Sequence, residues 1–372
     1  MRKVDYLIVG AGFYGSILAY NAKKKGYKCL VIDKRNHIAG NCYTSTKDNI
    51  DFHKYGPHIF HTDDKEVWEF INKFTEFNNY INSPLAVYKN KLYNLPFNMN
   101  TFYQLFNTYN IDEINAILIK EKEKYKNINP SNLEEQALKL VGDTVYNTLI
   151  KGYTEKQWGR NCTDLPAFII KRLPVRYTFD NNYFNDRFQG IPINGYTPIF
   201  EKLLEGIEVK LDTTYKEIKD KIQYKKLIYT GMIDEFYDFC FGKLEYRSLN
   251  FKHKTLDTKN YQGNAVINYT EKSIPYTRII EHKHFNKTKE SDKTIISYEY
   301  SEEYNGTNDA YYPIGLNKNK IIGKKQLLKC SQYFLILFFL KDHKYILKLL
   351  LFLGNFKCNF IMEEWKWRDT IK

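Results

Sequence analysis

An α/β fold with a helical insertion and a separate antiparallel sheet is what this sequence predicts, and three stretches predict it. Near the start, the apolar run 4–9 enters a glycine turn, Gly10-Ala11-Gly12-Phe13-Tyr14-Gly15, and residues 16–25 continue as a helix stopped at Gly26. Between residues 100 and 173 the Leu, Ile and Glu/Lys spacing turns helical, with interruptions at Pro130 and Pro166. From 244 to 300 the pattern alternates with period two, as in Asn264-Ala265-Val266-Ile267-Asn268-Tyr269, which reads as antiparallel strands.

The strand–turn–helix at the start is built to hold a dinucleotide. Gly10 permits the turn, Gly12 lets phosphates approach the backbone, and Gly15 lets the helix lie close to the strand. The first helical N–H groups and the positive end of the dipole then face the anion. Residues 28–33 form the next strand and bring Asp33 to a position where it can bind a ribose hydroxyl. After Lys34 comes the small pair Ala39-Gly40, then Asn41. A second close approach of backbone to a long cofactor favours FAD over NAD; an ordinary loop is the alternative.

Residues 51–62 carry His58 and His61 after a Gly-Pro turn. They read as histidines near a flavin ring, with a structural role as the alternative; no third ligand supports a metal. Residues 80–96 form two strands around Lys89-Asn90-Lys91, and 129–135 a turn feeding a capped helix. Tyr153 and Trp158 offer faces on which a base can stack, worth about 1–3 kcal/mol, or they form a buried aromatic pair. Arg172 and Arg176 flank Pro174 and suggest phosphate recognition, a solvated face being the alternative. Residues 196–204 read as a helix, 206–218 as short strands, and 225–231 as a later strand of the nucleotide sheet ending at Gly231.

At 372 residues the chain has room for two or three domains. Net charge is +13, yet the lysines are scattered and neither zinc-finger spacing nor an RNP-type signature occurs. Nucleic acid is therefore not an expected partner; an anionic small substrate accounts for part of the charge. Cys29, Cys42, Cys162, Cys240, Cys330 and Cys358 form no CxxC pair, which predicts reduced thiols in a cytoplasm, without disulfides or structural zinc. Arg2 and Lys3 precede a strand, so no signal peptide is expected.

Taken together, GAGFYG (10–15), YGPHIFHT (55–62), NSPLAVY (82–88), GYTEKQWG (152–159), RLPVR (172–176), NYFNDRFQGIP (182–192), YTG (229–231), GKLEYRSL (242–249), YTRIIEH (276–282) and YYPI (311–314) resemble, in this order, bacterial UDP-galactopyranose mutases. The resemblance covers roughly residues 2–314. It implies a Rossmann-type FAD-binding domain with an inserted helical bundle and an antiparallel β-sheet domain, usually as a cytoplasmic homodimer. The implied boundaries are 1–79 and 196–243 for the FAD domain, 80–97, 172–195 and 244–309 for the sheet domain, 98–171 for the bundle, and 310–322 for a return to the FAD domain. It implies reduced FAD as a nucleophile toward the sugar of UDP-galactopyranose or UDP-galactofuranose, with no net redox change.

By the same resemblance, Arg172 and Arg278 grip the diphosphate and act in catalysis with His61. Tyr153 and Trp158 surround uridine and the lid; Tyr183 and Tyr312 contact the diphosphate; Asn82 lies on the substrate side. His58 and His61 flank the flavin ring, while Gly10, Gly12, Phe13, Gly15, Asp33, Lys34, Gly40, Asn41 and Gly231 frame the FAD. No metal is implied.

After Ile314 the chain departs from the family, lacking its Gly-Arg-Leu-Gly strand and its Tyr-x-Tyr-x-x-Met-Asp segment. Instead the apolar runs 333–340 and 346–353 flank Lys341-Asp342-His343-Lys344. Each is well short of the roughly 20 residues that cross a bilayer. The 323–372 tail reads as shifted in frame or replaced, with an interfacial anchor as the alternative. Impaired turnover is expected; an amine-oxidase-like flavin oxidoreductase and an inactive remnant are the competing readings.

Overall fold

The computed structural model describes residues 2–170, 175–287, 289–314 and 319. Arg172 and the 323–372 tail, both singled out above, lie outside the described residues. β1 (Arg2–Val9) is covered on both faces, which explains a continuous apolar run in place of alternation. Tyr6 and Ile8 join one core cluster, Val4 and Leu7 another. α1 (Phe13–Lys24) stops just before Gly26, which has φ +81°. β2 (Cys29–Ile32) is wholly buried.

β3 (Thr44–Lys47) and β4 (Ile50–His53) pair as a hairpin, and β5 (Phe60–Thr62) leads to α2 (Lys65–Ile71), whose start is capped by Asp64. β6 (Leu85–Tyr88) and β7 (Lys91–Asn94) pair around Lys89 and Asn90, both at positive φ. The helical insertion holds α3 (Met99–Phe106), α4 (Ile111–Glu123), α5 (Leu133–Val145), a π-turn at Tyr146–Ile150, and α6 (Lys151–Trp158). Asn98, Asn110 and Asn132 cap the first three of these helices, each accepting a backbone N–H. Their apolar faces share one core with Ala86, Tyr93 and Phe97.

β8 (Phe188–Gly190), α7 (Thr197–Leu203), β9 (Glu208–Lys210), α8 (Tyr215–Ile218), β10 (Ile222–Tyr229) and α9 (Ile233–Phe236) return the chain to the nucleotide fold. β11 (Tyr246–Leu256), β12 (Val266–Tyr269), β13 (Arg278–Glu281), β14 (Thr294–Glu303) and β15 (Tyr312–Pro313) then build most of a second sheet. The small sheet is parallel, in order β10-β1-β2-β9. The large one runs β15-β11-β14-β13-β12-β6-β7. Among the described residues no helix is long and apolar enough to cross a membrane.

Two expectations change, and two further segments find pairing partners. Residues 206–218 are not all strand: Thr214 and Glu217 form a reciprocal capping box that starts α8. β6 joins the large sheet parallel to β12, so that sheet is not purely antiparallel. The described part of 172–195 adds no strand to it; β8 pairs with β5 instead. Within 310–322, β15 extends the large sheet beside β11, and it is Asp309, one residue earlier, that reaches the nucleotide fold through Lys34 and Arg35.

A buried histidine cluster ties β4 to the large sheet. The His53 N–H donates to His282 Nδ1 (3.2 Å), and the Ser297 hydroxyl lies 2.6 Å from both His282 Nε2 and His253 Nδ1. Burial, then neighbouring histidines, push His53 down to about 3 and His282 well below the ordinary 6.5. The unfolded chain therefore takes up protons below pH 6.5 while the folded chain does not. Stability is expected to fall as pH drops from 6.5 toward about 3, by up to about 1.4 kcal/mol per pH unit for each of these histidines. Urea midpoints between pH 7 and pH 4.5 measure this; a flat profile contradicts it.

Candidate active site

The glycine turn is shaped by contacts that only glycine permits. Gly10 has φ +106°, and a Cβ there would stand 2.0 Å from Thr230 Oγ1. Across the turn, the Ala39 N–H donates to Ala11 O (2.9 Å), which brings Gly40 against Gly12. A Cβ on Gly40 would lie 3.2 Å from Gly12 Cα, whereas one on Gly12 would meet only Gly40 Cα, at 3.9 Å. Gly12 caps α1 without a side-chain hydrogen bond, and the first turn carries no acidic residue. This is a bare helix N-terminus behind a flat backbone, and it fits a pyrophosphate.

Asp33 accepts from the Ala11 N–H (2.7 Å) and the Arg35 N–H (2.9 Å), leaving lone pairs for a ribose hydroxyl. Lys34 pairs with Asp309, and Asn41 accepts from Arg35 (3.0 Å). The Phe13 ring belongs to the core, 4.4 Å from Phe200 by centroid, so only its backbone faces the turn. Gly231 follows β10, its Cβ position filled by the Tyr229 ring. Thr230, which the sequence did not single out, closes the turn from β10.

Tyr55 connects this turn to a second cluster. Its ring lies 4.2 Å under the Arg35 guanidinium, while the next residue, Gly56, has a Cβ position 3.8 Å from Glu299 Oε2. Arg278, at the start of β13, donates from Nε to Glu299 (2.7 Å) and pairs with the same carboxylate through Nη2 (2.6 Å). Its Nη1 makes no hydrogen bond among the described residues. Burial opposes the Arg278 charge, but Glu299, with Tyr153 and Tyr312, more than offsets it and holds the group above its ordinary value. Tyr153, Tyr183, Tyr312 and His58 all lie close enough to feel that charge.

Other expected residues border the same cluster. Trp158 meets Tyr312 edge to face at 5.3 Å. Asn82 is buried and accepts from the Tyr183 N–H at its carbonyl (2.7 Å), its side-chain amide unpartnered among the described residues. His61 bonds Asp186 through Nδ1 and stacks on Phe184, 3.5 Å between centroids. His58 Nδ1 sits 2.9 Å from Gly56 O, and burial pushes its imidazole down to about 4, so it stays neutral. Burial likewise raises the Tyr312 hydroxyl to about 12 and the Tyr153 hydroxyl further, so both remain donors at neutral pH.

The Arg176 guanidinium braces the following loop through Asn182 O, Tyr183 O and Asn185. Two residues were missed. Glu299 holds the charge of Arg278, and Asn268, opposite Arg278 in the β12–β13 register, buries an Oδ1 that has no partner among the described residues. Nothing local marks either; both read as ordinary polar positions of a strand.

Comparison with known proteins places the chain in a family. The family model for UDP-galactopyranose mutase matches residues 148–339, reaching past Ile314, and that for an NAD(P)-binding Rossmann-like domain matches residues 8–74. The chain is 40% identical to a dTDP-fucopyranose mutase of Escherichia coli over 341 residues, 89% of this chain and 90% of that one. It is 40% identical over 319 residues to a probable UDP-galactopyranose mutase of Klebsiella pneumoniae, 84% of this chain and 82% of that one. A crystal structure of reduced UDP-galactopyranose mutase shares the fold, with a TM-score of 0.63 at 14% identity, over 89% of this chain and 79% of that one.

Proposed function

Because the chain belongs to the UDP-galactopyranose mutase family, we propose that it interconverts UDP-galactopyranose and UDP-galactofuranose with the help of FAD. The observation that carries this reading is the meeting of Arg278 with Tyr153, Tyr183 and Tyr312 in one cluster, joined to the glycine turn through Tyr55 and Gly56. A reduced flavin, held by Gly10, Gly12, Gly15, Gly40 and Asp33, would supply the nucleophile for the anomeric carbon.

The protein's own residues have a separate task. The bond between the anomeric carbon and the diphosphate breaks and later re-forms, so the diphosphate carries its largest charge between those events. Arg278 offers Nη1 to that charge, and its pairing with Glu299 holds the guanidinium in one orientation. Tyr153, kept protonated, donates its hydroxyl hydrogen alongside it, while the Tyr312 hydroxyl, also protonated, donates to Gln157 O (3.5 Å) and keeps its ring beside the group. Trp158 gives the nucleobase a face, and Asn82 has an unsatisfied amide for a sugar hydroxyl. Neutral His58 keeps the cluster from acquiring a further charge.

A second reading, dTDP-fucopyranose as substrate, has the Escherichia coli relative in its favour. Dithionite-reduced protein incubated with each furanose sugar nucleotide separates the two. UDP-galactopyranose should form catalytically without consuming reductant. Faster turnover of the dTDP pair would select the second reading, and turnover of neither by flavin-loaded protein would remove both.

A further inference from the structure

We infer that Arg247, on β11, is a positioning residue for the nucleotide-sugar site: it clamps the C-terminus of α6 to the large sheet and thereby fixes Trp158 against Tyr312. This rests on the reading of Trp158 and Tyr312 as nucleotide-sugar contacts. The last carbonyls of an α-helix have no partner within the helix. In α6 two of them, Gln157 O and Lys156 O, receive Arg247, from Nε at 3.0 Å and from Nη2 at 3.4 Å. Nη2 also donates to Ser301 Oγ (3.0 Å), whose hydroxyl donates to the same Gln157 O (2.5 Å). Nη1 pairs with Glu303, which Arg160 holds from the far side of the helix end (2.6 Å).

The Arg247 side chain is 3% exposed, so it acts through what it touches. Its positive charge also lies at the negative end of the helix dipole. Two further observations agree. α6 ends at Gly159, in the left-handed region at φ +63°, and a Cβ there would stand 2.5 Å from Arg247 Nη1. Glycine therefore gives the guanidinium its room as well as the turn its conformation. In the β11–β15 register Arg247 lies opposite Tyr312, whose ring meets Trp158 at 69°. One guanidinium thus joins β14 and its own strand β11, which pairs with the strand bearing Tyr312, to the helix bearing Trp158 and Tyr153. Lysine would keep the charge but lose the fork that reaches two carbonyls and a hydroxyl together.

The test compares Arg247→Ala, Arg247→Lys, Trp158→Ala and the Arg247→Ala/Trp158→Ala double variant, all flavin-loaded. Amide hydrogen exchange over residues 151–160 and UDP affinity are read in each. Arg247→Ala should speed exchange in that segment and weaken UDP about tenfold, as expected for a contact that must be ordered anew on binding. Arg247→Lys should fall between Arg247→Ala and wild type, and flavin content should not change. In the Trp158→Ala background the loss of UDP affinity should largely vanish. Unchanged exchange over 151–160, or a full tenfold loss persisting without Trp158, overturns the proposal. Should Arg247→Ala not fold, Arg247→Lys carries the same comparison. If wild type binds no UDP, the substrate reading fails, while amide exchange still decides the clamp.

Discussion

Replacing Arg278 by alanine is expected to lower kcat by roughly two to three orders of magnitude, the effect of removing one preorganised donor from a site of developing negative charge. The same change strands Glu299, which is 3% exposed and whose other oxygen accepts from the Thr277 hydroxyl (2.9 Å). Breaking a buried pair from one side costs about 3–5 kcal/mol, so the single variant loses stability as well as activity. The double variant Arg278→Ala/Glu299→Gln separates these effects. Glutamine keeps an acceptor for Thr277 and carries no charge, so the melting temperature should recover most of its loss. Turnover should not recover. If it does, Arg278 serves only to neutralise Glu299, and the diphosphate reading fails. Flavin should remain bound in both variants, because the contacts of Arg278 are to Glu299 and the tyrosine cluster.

The parts of this protein that could be read from sequence are those whose chemistry is local. The glycine turn is legible because φ at Gly10 and the contacts at Gly15 exclude every other residue. The helix start at Asn132 is legible because a side-chain oxygen caps its own turn, whereas those at Asn98 and Asn110 were read only as the onset of helical spacing. The capping box at Thr214 and Glu217 was equally local, but the short β9 just before it drew the reading toward strand. Glu299, Asn268 and Arg247 could not be found this way. Each is one polar position in an alternating strand, and only the sheet register sets Glu299 and Asn268 opposite Arg278, or Arg247 opposite Tyr312. The parallel entry of β6 beside β12 is illegible for the same reason: strand direction in a sheet follows from long-range closure. The carbonyl acceptors of Arg176, in the loop that follows it, were likewise not legible.

The glycine turn supplies the second large effect, and two of its glycines should fail in different ways. A Cβ at Gly15 would stand 1.9 Å from Gly10 O and 3.1 Å from Ile8 Cγ2. The first of these is backbone, held by the Gly10 N–H donating to Ile32 O (2.7 Å) and by Thr230 on the other side. Gly15→Ala must therefore displace α1 or the turn, and overpacking of this kind costs about 1–3 kcal/mol or more. A lower urea midpoint and loss of flavin should appear together. Gly12 differs: its φ of −78° suits any residue, and a Cβ would meet nothing nearer than Gly40 Cα at 3.9 Å. Gly12→Ala should fold with a midpoint near that of wild type, yet its methyl group would occupy the space over which the pyrophosphate approaches the backbone. Flavin content should then fall at least tenfold without loss of stability, measured from the absorbance of the purified proteins beside their melting curves. Retention of a full complement of flavin by Gly12→Ala would mean that the dinucleotide does not cross this turn. Loss of stability in Gly12→Ala equal to that in Gly15→Ala would mean that the gap between Gly12 and Gly40 belongs to the fold alone.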